Sequence, residues 1–146
     1  MNGMEARLRR IIRKETGRSL VVAVDHGMAL GPMTGIVDVK TTISKLDATN
    51  TIDAWLLTKG IYTYAFEPAG RPGIIMRASG GATIVGPNLT HEGITSSVKE
   101  ALYLGADSVA VSAFIGSEFE HQTLVDMATM ATQCRKWNVP LLGVMG

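Results

Sequence analysis

Five short apolar runs, set apart by helical patterns and polar turns, constrain this chain more than any other feature. They fall at residues 19–24 (SLVVAV), 54–58 (AWLLT), 73–76 (GIIM), 108–112 (SVAVS) and 140–144 (PLLGV). Each is too short for a helix and lacks the polar alternation of a half-exposed strand. Strands that are apolar on both faces belong to parallel sheets covered by helices. The intervening segments supply such helices. Residues 37–46 place Val37, Ile43 and Leu46 among polar neighbours, and residues 96–104 run into Gly105-Ala106-Asp107, a helix stop before the fourth run. Ser117-Glu118-Phe119-Glu120 has capping-box spacing, with Ser117 at the N-cap and Glu120 at N3. It predicts a helix running to Trp137, with Leu124, Met127, Ala128, Ala131 and Cys134 on its inner stripe and Asn138 at its end. The order of strands and helices argues an α/β fold with parallel strands.

The first 18 residues read differently. Met4, Leu8, Ile11 and Ile12 recur at helical spacing between charged residues, with Gly17 as the stop. This amphipathic helix carries a local charge of +4, against −3 for the remainder. Such a helix contacts a membrane or nucleic acid in some proteins. Packing on the domain with a solvated basic face is the simpler reading. The division is therefore 1–18, an amino-terminal amphipathic helix, and 19–146, the α/β portion. A net charge of +1 calls for no nucleic-acid partner. No apolar run approaches the ~18 residues of a membrane span, and residues 1–7 lack the apolar stretch of a secretory signal. The single cysteine, Cys134, has no internal disulfide partner, which fits a reducing compartment. The expectation is a cytoplasmic protein.

In parallel α/β folds, ligands bind at the carboxyl ends of the strands. The first run ends in Asp25-His26-Gly27. A carboxylate closing an apolar run needs a partner or a task. Asp25 is suited to orient a substrate hydroxyl or relay a proton; the plain alternative is a cap on a loop amide. His26 stands beside it, as catalytic partner or as a hydrogen-bonded loop residue. Lys59 ends the second run; strand-end lysines form Schiff bases when desolvated, or snorkel at the sheet mouth. Arg77 ends the third run, either to hold an anionic substrate or to pair with a strand-end acid. Glu118, Glu120 and His121 suggest a metal site, but acids at a helix start are explained by capping and the helix dipole, so no metal is expected. His91-Glu92 lies in a loop without matching partners nearby in sequence. Cys134 reads as inert, and Trp55 and Trp137 as core or helix–sheet packing. The Gly31-Pro32-Met33-Thr34-Gly35 stretch is neither a P-loop nor a dinucleotide fingerprint. It reads as a turn.

Taken together these motifs resemble a known family. Thr16-Gly17-Arg18-Ser19, Ala23-Val24-Asp25-His26-Gly27 and Gly31-Pro32-Met33-Thr34-Gly35 are similar to the opening of the class I, Schiff-base aldolase superfamily of deoxyribose-phosphate and archaeal fructose-bisphosphate aldolases. Thr58-Lys59-Gly60-Ile61, Arg77-Ala78-Ser79-Gly80 and residues 115–122 (IGSEFEHQ) resemble most its autoinducer-2 thiolase branch. The resemblance implies a (β/α)8 TIM barrel, of which this chain covers about the first five βα units; such barrels typically need ~250 residues. It implies that Asp25 lies near the reacting carbonyl and hydroxyl groups, with His26 beside it. Gly27, Lys59, Arg77 and Ser112 are then expected to contact substrate. Lys59 does not carry over as the imine-forming lysine, which in the family lies on the sixth strand. The implied substrate is a phosphorylated small ketone, with no tightly bound cofactor and no metal, coenzyme A being a co-substrate in the thiolase branch. A homo-oligomer is implied as well. The chain by itself is expected to be inactive. The alternative is a non-catalytic half-barrel that self-associates or complements a separate carboxy-terminal half, since five strands do not close a barrel of eight.

Overall fold

A computed structural model describes residues 2–67 and 72–146. The first helix, α1 (Gly3–Ile11), starts where the Asn2 side chain accepts from the Glu5 amide at 2.9 Å. It ends at Ile12, whose backbone is already extended. Gly17 therefore does not stop this helix. With φ at +66° it closes a separate turn, in which its amide donates to the Arg13 carbonyl. Where the helix ends, Ile11 is buried and its carbonyl accepts from the Ser19 hydroxyl in place of a further helical amide.

The apolar runs form β1 (Val21–Ala23), β2 (Ala54–Leu57), β3 (Gly73–Arg77), β6 (Ser108–Ala113) and β7 (Leu141–Met145), all parallel and hydrogen-bonded in the order β1-β2-β3-β6-β7. A two-stranded antiparallel piece, β4 (Ser79–Gly80) with β5 (Gly93–Ile94), stands apart. The large sheet thus runs in chain order with no reversal. A doubly wound sheet has a switch point where strand order reverses; a barrel has none. The helices are α2 (Gly27–Leu30), α3 (Val39–Asp47), α4 (Lys59–Ala65), α5 (Val98–Tyr103) and α6 (Glu120–Lys136). Side chains of Asp38, Thr58 and Ser97 cap α3, α4 and α5.

Successive strand residues alternate between the two faces of the sheet. Trp55, Leu57, Ile74, Met76, Val109 and Val111 share one core with the helices. Ala54, Leu56, Ile75 and Ala110 share the other with Ile11 of α1, and Ala23 and Val144 border it. This second face mixes alanines with branched residues, Leu56, Ile75 and Val144 among them. In its last turn α1 is fastened by Arg10, which donates to Asp107 at 2.6 Å, while the same carboxylate accepts from the Ile74 amide at 3.1 Å.

Three local expectations are corrected. Helix α6 begins at Glu120, not at Ser117: the Ser117 hydroxyl accepts from the Phe119 amide, and Glu120 reaches back to the Gly116 amide. Both halves of the capping box bond one residue away from their expected partners, because Ser117 is engaged with the Phe114 carbonyl in a preceding turn. The buried stripe of α6 is Thr123, Met130 and Cys134, while Leu124 and Val125 are exposed. The Thr123 hydroxyl, bonded to the Phe114 amide, fixes this rotation. Trp55 is fully buried, but Trp137 is exposed, with the Lys99 and Lys136 ammonium groups about 6 Å from its ring. It follows the last turn of α6 and lies off the packed stripe.

Candidate active site

The inner face of the sheet continues past the apolar core to its carboxyl end. Asp25 lies two residues beyond Ala23, Arg77 two beyond Ile75, and Ser112 two beyond Ala110. The two-residue period of a strand keeps each on the same face as its predecessor. Parallel register then brings them side by side, with β3 paired to β6 through Arg77 and Ala110. Sequence positions 52 and 35 residues apart from Arg77 meet at one guanidinium.

That guanidinium is the hub. Arg77 Nη1 donates to Asp25 Oδ2 at 3.3 Å, and Nη2 donates to both oxygens of Glu92 at 3.2 and 3.1 Å. Nη2 also meets the Ser112 hydroxyl, and Nε donates to the Ser79 carbonyl at 3.2 Å. Ser79 closes the ring, its hydroxyl donating to Glu92 at 2.8 Å and accepting from the Ser112 amide at 2.9 Å. All five residues are buried, Arg77 at 9% exposure and Asp25 at 6%. Charges so placed are stable only when paired and hydrogen-bonded. Of the two roles read for Arg77, the structure gives it the second: it pairs with acids and is not free for an anionic ligand.

One acceptor stays open. Asp25 Oδ1 takes no hydrogen bond from the described residues, and His26 Nδ1 lies 3.8 Å from it. His26 itself is half exposed and precedes α2, whose first residue is Gly27. A carboxylate held through one oxygen and open at the other is arranged to accept a proton or a hydroxyl hydrogen bond.

The structure brings Asp25, Arg77 and Ser112 together, with His26 and Gly27 at the margin. It does not bring Lys59 there. The strand–helix junction caps itself with Thr58, so Lys59 becomes the first residue of α4 and turns to the helix layer. There its Nζ donates to Glu100 of α5 at 3.0 Å, both side chains being half exposed. The expected contact of Lys59 with substrate is corrected on this ground. Glu118 and Glu120 are engaged with Asn88 and the Gly116 amide, and among the described residues no three His, Cys, Asp or Glu side chains cluster as metal ligands.

Two cluster members, Glu92 and Ser79, were not legible as site residues. Glu92 arrives on the β4–β5 hairpin, whose strands are two residues long and leave no periodicity. An arginine at the end of an apolar run signals that an acid pairs with it, but Asp25 alone already meets that need, so nothing in the sequence points to Glu92. The loop that carries Glu92 is fastened to the start of α6. His91 stacks on Phe119 with ring centroids 4.0 Å apart, and Asn88 donates to Glu118 at 2.6 Å.

Comparison with known proteins identifies the family and the fold. The family model described as DeoC/LacD family aldolase matches residues 19–145. The 3-hydroxy-5-phosphonooxypentane-2,4-dione thiolase of Enterobacter sp. (strain 638) is 35% identical over 144 residues, 99% of this chain and 48% of that protein. The thiolase of the same name from Escherichia coli (strain K12) is 33% identical over the same shares. Among solved structures, a Schiff base forming fructose-1,6-bisphosphate aldolase superposes with a TM-score of 0.81 at 26% identity, over 97% of this chain and 56% of that one. A fructose-bisphosphate aldolase from Slackia heliotrinireducens, 14% identical, shares the fold with a TM-score of 0.77 over 98% of this chain and 50% of its own. The chain spans about half the length of the relatives it matches. Its five parallel strands are accordingly a curled part of a TIM barrel, with the Arg77 cluster at the carboxyl end of the strands. The chain belongs to the DeoC/LacD family of aldolases.

Proposed function

We propose that these βα units contribute the acid–base side of an enzyme that breaks, or transfers an acyl group at, a carbon–carbon bond of a phosphorylated ketone through a lysine imine. The observation that carries this reading is the buried cluster at the strand ends. One cation, Arg77, faces two carboxylates, Asp25 and Glu92, and one carboxylate oxygen is open.

In such chemistry a lysine amine adds to the substrate ketone and water leaves, giving a protonated imine. Its positive charge draws in the electron pair of the adjacent carbon–carbon bond as that bond breaks. Asp25 Oδ1 accepts the proton of the substrate hydroxyl that becomes a carbonyl. Arg77 holds Asp25 through Oδ2 and so aims Oδ1. The surplus negative charge favours a cationic imine over the neutral ketone, which is the differential stabilisation that accelerates a step. Lys59, turned away to Glu100, is not the imine lysine; that residue comes from outside the five strands. The phosphate is bound outside this cluster too, since Arg77 is committed to acids. In a thiolase, coenzyme A accepts the acyl group.

A second reading has its own observation. Among the described residues β1 and β7 each have a neighbour on one side only, and Leu142 and Met145 of β7 are exposed. A non-catalytic half-barrel that pairs with itself or with a separate carboxy-terminal half uses those edges. The two readings part in one experiment. The protein as its cell makes it is reduced with borohydride in the presence of dihydroxyacetone phosphate, and its peptides are weighed. The enzymatic reading expects a reduced adduct on a lysine other than Lys59. An adduct on Lys59, or none at all, overturns it.

A further inference from the structure

Glu92 has no role in the reading above except as a source of charge, yet its placement is the most constrained in the cluster. It is 5% exposed, and both its oxygens are committed, to Arg77 Nη2 and to the Ser79 hydroxyl. It is therefore not the group that meets substrate. An Asp25–Arg77 pair alone would be neutral. Glu92 leaves the buried cluster one negative charge in excess, an arrangement that costs free energy unless fully hydrogen-bonded. Arg77 of β3 and Ser79 of β4 hydrogen-bond Glu92 directly, Ser112 of β6 bonds both of them, and at the α6 start His91 and Asn88 pin the loop that leads to Glu92. A charge kept in place by so many elements points to a use for it.

We propose that Glu92 is a positioning residue: it anchors Arg77 against Asp25 and gives the strand-end cluster its net negative charge, which stabilises the protonated imine. The proposal rests on the Schiff-base reading and deepens it. Glu92 acts through Arg77 and touches no reacting atom. The carboxylate oxygens hold Nη2, Nη1 is left to Asp25, and Asp25 Oδ1 is left to substrate.

The test uses the protein as its cell makes it, with Glu92→Gln and Glu92→Asp beside the unsubstituted form. Glu92→Gln keeps the shape and removes the charge; Glu92→Asp keeps the charge and shortens the reach. The readouts are the rate of borohydride trapping with dihydroxyacetone phosphate, kcat and KM for the ketone, and the melting temperature. The expectation is that Glu92→Gln slows trapping and lowers kcat by about tenfold or more, as loss of one electrostatic stabiliser does, with KM nearly unchanged. Glu92→Asp recovers most of the trapping rate. Trapping by Glu92→Gln at the unsubstituted rate overturns the role of Glu92 and leaves the Schiff-base reading standing. No trapping in the unsubstituted protein overturns that reading and this one with it. Should Glu92→Gln not fold, Glu92→Asp decides: trapping kept supports the role, and trapping lost at an unchanged melting temperature overturns it.

Discussion

The Nη2 group of Arg77 sits between the two oxygens of Glu92, 3.2 Å from one and 3.1 Å from the other. With Asp25 on Nη1, both acids depend on this one side chain for their charge partner. Replacing Arg77 by methionine would leave two buried carboxylates facing each other without a cation. Removing one member of a buried ion pair costs about 3–5 kcal/mol. Arg77→Met is expected to lower stability by about that much, read as the midpoint of urea unfolding at pH 7. The triple variant Asp25→Asn, Arg77→Met, Glu92→Gln, with no charges left, is expected to recover part of the loss. A triple variant weaker than the single one would show that hydrogen bonding, and not charge, holds the cluster.

Gly73 opens β3 directly beneath α1. A β-carbon there would lie 2.9 Å from the Arg10 carbonyl oxygen and 2.9 Å from Ile11 Cγ1. The helix does not yield easily, because Arg10 is tied to Asp107 and Asp107 to the Ile74 amide. Gly73→Ala is expected to cost about 1–3 kcal/mol through overpacking. Gly93→Ala is the control, since a β-carbon at Gly93 meets nothing within 4 Å. Denaturant curves should show a lower midpoint at unchanged slope for Gly73→Ala only. Equal midpoints for the two variants would mean that α1 moves freely on the sheet.

The five main strands are legible because their residues are apolar on both faces, and Asp25 and Arg77 are legible as strand-end residues, while Ser112 entered only through the family resemblance. Glu92 is not legible, since a hairpin of two-residue strands has no pattern to read. Lys59 misleads for a related reason: it ends an apolar run, but the Thr58 cap converts the next residue into the start of a helix. The rotation of α6 is hidden as well. Leu124 and Val125 offer as good an apolar stripe as the one used, and the choice is made by Thr123 bonding the Phe114 amide, a polar contact across the chain.

Cys134 faces the helix-side core from α6 and is 2% exposed. Burial pushes its thiol up to about 11. The thiolate is the reactive form, so the native protein at pH 8 is expected to resist iodoacetamide and to be labelled at once in guanidinium chloride. The sign for stability follows. A thiol whose folded value lies above its unfolded value, near ~8.5, favours the folded state below that pH, and the advantage is lost as pH rises toward 11. Cys134→Ala should therefore melt with a shallower decline between pH 8.5 and 11. Rapid labelling of the native protein at pH 8 would contradict the burial of this helix face.

Asp53 joins the amino-terminal turn to the sheet. Arg13 Nε donates to its Oδ1 at 2.6 Å, and the Leu20 amide donates to its Oδ2 at 2.7 Å. The Arg13 hydrogen bond, aided by the Leu20 amide and by the guanidinium charge, holds the carboxyl below the usual aspartate range despite some opposing desolvation. A carboxyl whose folded value lies below its unfolded value, near ~3.9, stabilises the fold above that pH. The contribution falls away as pH drops through the folded value, where both states are protonated. Asp53→Asn is thus expected to melt below the unsubstituted protein at pH 6. The gap should narrow below pH ~4 and close at still lower pH. Melting temperatures of the two proteins across this range measure it, and a gap that stays constant to pH 2 would mean that Asp53 contributes as a neutral hydrogen-bond acceptor and not as an anion held by Arg13.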